Sequence, residues 1–241
     1  MADSHDYLLF RLYAPLAAWG DIAVGEVRPS FERPSRSAVL GLVAAALGIR
    51  RDREDELRAL DDAYGYAVAV QAQGVPLRDY HTVQRPPQRK GAAYGSRRAE
   101  LSALPRDALA TTLSYRDYWQ DAVYVACLWT RRDDPPHTLE QLAAALKRPC
   151  FALYLGRKSC PPALPLAPRV VEADDVAQAL RSADFPEGIW LPKIDGFVTV
   201  YSEQHPGGDC QQLRRRDRML SRRRWQFAER EEYRYSLNAE V

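Results

Sequence analysis

The order of elements predicts an α+β fold of the ferredoxin-like kind, a β-α-β…β-α-β chain. Three observations carry this reading. Aromatic and β-branched apolar runs stand at residues 7–13, 64–72, 122–130 and 151–155. Segments with helix periodicity and capping signals lie between the first two runs and between the last two. A long insertion bearing proline and arginine, about residues 74–120, separates the second run from the third. From residue 161 a smaller β-rich region is expected, so the chain divides into 1–160 and 161–241.

Each element has a local reason. Residues 7–13, YLLFRLY, read as a first strand. A loop with Trp19, Gly20 and Gly25 follows, then the basic stretch Arg28-Pro29-Ser30-Phe31-Glu32-Arg33-Pro34-Ser35-Arg36. Ser35 or Ser37 can cap the helix suggested by residues 38–47, AVLGLVAAAL, and Gly48 can end it. Residues 52–63 form a short charged helix, and 64–72 and 122–130 are strands. Thr138-Leu139-Glu140-Gln141 has the T-x-x-Q form of a capping box, opening a helix to about Lys147. Residues 151–155 supply the next strand. Beyond the proline cluster at 161–168, a helix at 174–183 and strands near 196–201 and 224–235 are expected.

Composition narrows the function classes. A chain of 241 residues with 46% hydrophobic content is globular. Its net charge is only +2, but the charge is segregated. Between Gln211 and Arg230 stand eight arginines against Asp217 and Glu229, and between Arg78 and Arg116 eight cations against Asp79, Glu100 and Asp107. No run is apolar enough to span a membrane, and the N-terminus is no signal peptide. The four cysteines form no CxxC pair and no zinc-like spacing with the four histidines. A cytoplasmic protein without metal or cofactor is expected.

The chemistry points to anions. In Leu155-Gly156-Arg157-Lys158-Ser159-Cys160-Pro161 a glycine turn precedes two cations and a hydroxyl, a set suited to a phosphate. The plain alternative is a tight turn with both cations in water. Arg28, Arg33 and Arg36 stand before a helix N-terminus, whose free N–H groups also favour an anion. Trp19 is either a base-stacking platform or a core aromatic. His81 beside Tyr80 admits an acid–base reading, or that of a hydrogen-bonded structural histidine. The Arg214–Arg224 cluster reads equally as a solvated basic face and as a nucleic-acid contact. The order of elements is RRM-like, yet the aromatic RNP signatures are absent, so the candidate sites lie in loops.

Trp19-Gly20, the 28–37 stretch leading into Leu40-Gly41-Leu42, Leu77-Arg78-Asp79-Tyr80-His81-Thr82-Val83 and Tyr154 to Pro161 occur in one order and spacing, with Gln226-Phe227-Ala228-Glu229-Arg230 near the end. Together they resemble the Cas-five family of CRISPR-associated proteins, in its subtype I-E branch. The resemblance implies a RAMP-type fold and a non-catalytic subunit of the Cascade complex. Such a subunit grips the 5′ handle of the CRISPR RNA and caps the Cas-seven backbone. It also meets the large PAM-reading subunit and supports binding of target DNA. RNA contacts are implied for Trp19, Arg28, Arg33, Ser35, Arg36, Ser37, Arg78, Tyr80, His81, Tyr154, Gly156, Arg157, Lys158 and Ser159. The insertion, about 78–116, corresponds to a thumb that presses on the guide–target duplex through Arg85, Arg89, Lys90, Arg97 and Arg98. With few apolar residues in 85–103, that segment is expected to be mobile in the isolated chain. Subtype I-C members cut RNA themselves, so the alternative is a metal-independent endoribonuclease built on His81, Tyr80 and Lys158. A free-standing basic nucleic-acid-binding protein is a third possibility.

Overall fold

Strands with the longest unbroken apolar runs occupy the middle of the main sheet, because only there are both faces covered. The computed structural model describes residues 4–87, 93–185 and 197–238. Its longer strands are β1 (His5–Tyr13), β2 (Tyr64–Ala72), β3 (Val75–Arg85), β4 (Ala110–Gln120), β5 (Val123–Thr130), β6 (Arg169–Ala173), β7 (Phe197–Ser202), β8 (Gln211–Ser221) and β9 (Gln226–Asn238). Its helices are α1 (Arg36–Leu47), α2 (Glu54–Ala63), α3 (Arg97–Ser102), α4 (Leu139–Lys147) and α5 (Val176–Arg181). The result is a mixed α/β protein with mostly antiparallel sheets. None of its described helices is long and apolar enough to cross a membrane.

The main sheet has seven strands in the order β6-β1-β5-β2-β7-β9-β8, with every neighbouring pair antiparallel. Alternation along β1 sets its two cores. Leu8, Phe10 and Leu12 face a cluster with Val39 and Val43 of α1, Leu60 of α2 and Leu142 of α4. Tyr7 and Leu9 face the opposite cluster, with Val176 and Leu180 of α5. The helix signals operate as the sequence suggests. Ser35 accepts a hydrogen bond from the Ala38 N–H, Gly48 ends α1 at φ 80°, and Thr138 and Gln141 close a full capping box.

One expectation needs correction. Residues 151–155 are not a strand; they run as a loop, and the strand following α4 in the sheet is β6. The loop is tied down by Cys150 and Phe151 N–H groups donating to Ala46 and Ala45, and by Ala18 donating to Leu155. Leu155 is buried while Phe151 and Tyr154 are exposed, so the short apolar run anchors a loop. Within the insertion, the described residues include two paired strands and a short helix that the sequence did not mark. β3 and β4 pair without a break from Val75↔Gln120 to Arg85↔Ala110, and Ser96 caps α3. β4 further pairs with Leu16–Ala17 and, in parallel, with Val27–Arg28, which roots this arm on the body. The division at 160/161 falls in a loop, and β6 to β9 join the same sheet as β1, β2 and β5.

Candidate nucleic-acid interface

The Gly156 turn is the centre of the site. Gly156 sits at φ +86°, and a Cβ there would lie 1.7 Å from the Ala18 carbonyl oxygen. Glycine is therefore required by the close packing of the turn on the Ala18–Trp19 backbone. The turn closes through Cys160 N–H to Arg157 O at 2.9 Å and Leu155 N–H to Cys160 O at 2.7 Å. Arg157 donates to the carbonyls of Asp117, at 2.9 Å, and Arg28, at 2.8 Å. Its guanidinium also lies 4.6 Å from the Tyr118 ring centre. It thus joins three segments, leaving Lys158 and Ser159 exposed beside it.

Further cations converge on the same end of β4. Arg28 is exposed, its guanidinium donating only to Gly25 and Val27 carbonyls of its own turn. Arg78 holds Asp117 by two bonds, of 2.7 and 2.9 Å. The hydrogen bond from Arg78 keeps the Asp117 carboxyl below the usual range. Arg116 stands opposite both Asp79 and Arg28 in the strand register. Arg28, Arg78, Arg157 and Lys158 thus surround one strand end, and exposed Tyr154 lies just before the turn.

The 33–37 segment does something else. Arg33 is buried, pairs with Glu32 and Glu232, and lies 3.5 Å over the Tyr201 ring. Arg36, also buried, pairs with Asp61 and with Glu203 at 3.0 Å. The backbone N–H of Arg36, at the start of α1, donates to Asp217 at 2.9 Å. An internal carboxylate thus takes the helix N-terminus where a phosphate was expected. Arg230 pairs with Asp217, Glu232 and Glu203. Burial opposes its charge, but these acids outweigh burial and push its pKa up. Ser35 is the α1 cap and Ser37 is buried, its carbonyl accepting from Arg222. Trp19 is 2% exposed and packs edge-on against Tyr124, so it is a core aromatic and not a stacking platform.

On the arm, Tyr80 is exposed and rests on Tyr115, with ring centres 5.4 Å apart. His81 Nε2 lies 2.6 Å from Asp79 Oδ2. Lys158 lies on the Gly156 turn, and among the described residues no hydrogen bond or ion pair joins it to Tyr80 or His81. Arg85 and Arg98 are exposed, and Arg97 pairs with Glu100 while donating to the Gln84 carbonyl at 2.7 Å. Arg89 and Lys90 fall outside the described residues. No group of three or more His, Cys, Asp or Glu side chains suited to a metal occurs among the described residues. The sequence reading missed Arg116 and the aromatic frame of Tyr115 and Tyr118; polar–apolar alternation in 110–120 (ATTLSYRDYWQ) was the available signal.

A family model of CRISPR-associated protein (Cas_Cas5) matches residues 7–233. The chain belongs to this Cas-five family. The CRISPR system Cascade subunit CasD of Escherichia coli (strain K12) is 31% identical over 238 residues, covering 94% of each chain. Among solved structures, a chain of a CRISPR RNA-guided surveillance complex superposes with a TM-score of 0.66 at 25% identity, covering 96% of this chain and 90% of that one. A crystal structure of a Cas protein superposes at 0.62 with 27% identity, covering 97% of this chain and 95% of that one.

Proposed function

We propose that the chain is a non-catalytic, cytoplasmic subunit of a type I-E CRISPR Cascade surveillance complex. It binds the 5′ handle of the CRISPR RNA, caps the Cas-seven backbone, meets the large PAM-reading subunit and supports RNA-guided binding of invading DNA in antiviral defence. The observation that carries this is the convergence of Arg28, Arg78, Arg157 and Lys158 at one strand end, in a chain related to a Cascade subunit along nearly its whole length. Such assemblies leave sequence reading to base pairing, while protein cations hold backbone phosphates. The strand order β6-β1-β5-β2, with helices between β1 and β2 and after β5, supports a ferredoxin-like, RAMP-type reading whose fourth strand, β6, lies beyond residue 160, completed by β7 to β9. In this reading the β3–α3–β4 arm is the thumb, carrying Arg85, Arg89, Lys90, Arg97 and Arg98 to the guide–target duplex.

Co-expression with the other Cascade subunits and a repeat-containing RNA tests the proposal. The wild-type chain is expected to co-purify with them, and Arg28→Ala/Lys158→Ala to assemble with less RNA. Wild-type RNA occupancy in that variant would remove the site.

One contact favours the endoribonuclease alternative: Asp79 holds His81 at 2.6 Å, as an orienting carboxylate holds a general base. The isolated chain is expected to leave repeat RNA intact in EDTA. Cleavage that disappears with His81→Ala would reverse the assignment.

A further inference from the structure

The turn joining β8 to β9 carries Arg222-Arg223-Arg224-Trp225, a run the interface around Gly156 does not use. We propose that this hairpin tip is a second nucleic-acid contact, where Arg58, Arg223 and Arg224 take the phosphates of a single strand and Trp225 stacks on a base.

The charge at the tip is uncompensated in a specific way. A cleft of about 520 Å³ opens between the tip and the start of α2, lined by Glu54, Arg58, Leu220, Arg223 and Arg224 among others. Its carboxylate is already committed. Glu54 accepts from the Ser221 hydroxyl at 2.5 Å and the Arg223 N–H at 3.0 Å, contacts that hold it below the usual carboxylate range. Glu54 therefore fixes the hairpin backbone. Among the described residues Arg58, Arg222, Arg223 and Arg224 form no ion pair with a carboxylate.

The indole is presented, not stored. Trp225 is 59% exposed and lies at φ 55°, a backbone region that glycine or asparagine occupies at less cost. An exposed tryptophan in left-handed backbone contributes little to folding, so its side chain is there for what it meets. Phe227 buttresses it edge-on at 5.6 Å, and Arg51 and Arg222 lie within 5.4 Å of its ring centre. Arg222 is anchored in turn, donating to the Ser37 carbonyl.

A single strand engages both components, cations and π-face. An acidic protein surface would engage the cations alone. Binding of a fluorescein-labelled oligo-uridine to the full chain distinguishes them, with poly-glutamate as the protein-like competitor. Arg223→Ala/Arg224→Ala is expected to weaken oligonucleotide binding about tenfold and to reduce the salt slope by roughly 0.7 per lost phosphate. Trp225→Gly relieves the backbone, so the thermal midpoint should hold or rise while affinity falls about tenfold. Trp225→Phe should restore most of it. The same fold-losses are expected in an Arg157→Ala/Lys158→Ala background, which separates this contact from the proposed handle site. Wild-type affinity and slope in the double arginine variant would overturn the proposal. So would variants that lose poly-glutamate binding but keep the oligonucleotide.

Discussion

Arg36 and Arg157 both stand in basic stretches flanked by turn residues, and the fold uses them in opposite ways. Arg36 belongs to an interior network in which Arg33, Arg36, Arg215 and Arg230 meet Asp61, Glu203, Asp217 and Glu232. This network ties the start of α1 to β8 and β9 across roughly the whole length of the chain. Arg157 meets only carbonyl oxygens and a tyrosine ring, and its neighbours Lys158 and Arg28 meet solvent. What separates the two is the origin of the counter-charge. Where a distant carboxylate supplies it, the arginine is structural; where none does, the charge remains available to a phosphate.

The strongest test of this division is Arg36→Ala. It leaves Asp61 buried without its main partner, while Glu203 keeps Arg131 and Arg230, and removing one member of a buried pair costs about 3–5 kcal/mol. Burial already pushes the Asp61 carboxyl up despite Arg36, so the charge there is under strain. Chemical denaturation should show the loss, with the RNA-binding salt slope of the surviving folded fraction unchanged. A reduced slope with intact stability would place Arg36 at the interface instead.

Gly156→Ala comes next. The new methyl meets the Ala18 carbonyl, and φ +86° is strained for any L side chain. A cost of about 2–3 kcal/mol is expected in a melting experiment. RNA retention should fall with it, because Arg157 and Lys158 lose their placement. A neutral effect on stability would mean that the turn can move away from Trp19.

Much of the central body was legible from residues 5–72 and 122–147, where apolar period and caps agree. β2 begins and ends where its apolar run does, and the capping box fixes the start of α4. The arginine-rich β8 was not legible as a strand because its inward positions include Arg215 and Asp217, charges that are intelligible only once Arg230 and Phe31 are in place. The arm strands were harder to see because only Tyr118 among their side chains is buried, so their apolar alternation is weak. At the site, the sequence singled out the 156–159 turn as a place to hold a phosphate, and the structure adds a reason for Gly156 that lies in the fold. Neither Ala18 nor its distance is visible in sequence.

Removing exposed charge should leave folding untouched. Lys158→Ala and Arg28→Ala are each expected to change stability by less than about 0.5 kcal/mol. Each should reduce the salt slope of RNA binding by roughly 0.7–0.9 if it holds one phosphate. Destabilisation without a change in slope would move both residues to the structural side of the comparison.

The smallest effect separates the arm from the body by pH. The Arg78 hydrogen bond keeps the Asp117 pKa below its unfolded value, with Arg157 adding a weaker pull. A carboxylate that protonates less readily when folded stabilises the fold above its ordinary pKa of about 3.9 and stops doing so as pH falls through the lower folded value. In Asp117→Asn that part of the acid limb should be missing. The difference will be small, because Arg78 faces water and solvent screens the pair. Denaturation midpoints followed from about pH 6 to pH 2 in both proteins would show it. Identical acid limbs would mean that Arg78 and Asp117 do not bridge β3 and β4 in solution. Arg78 would then join Lys158 and Arg28 among the cations free to meet RNA.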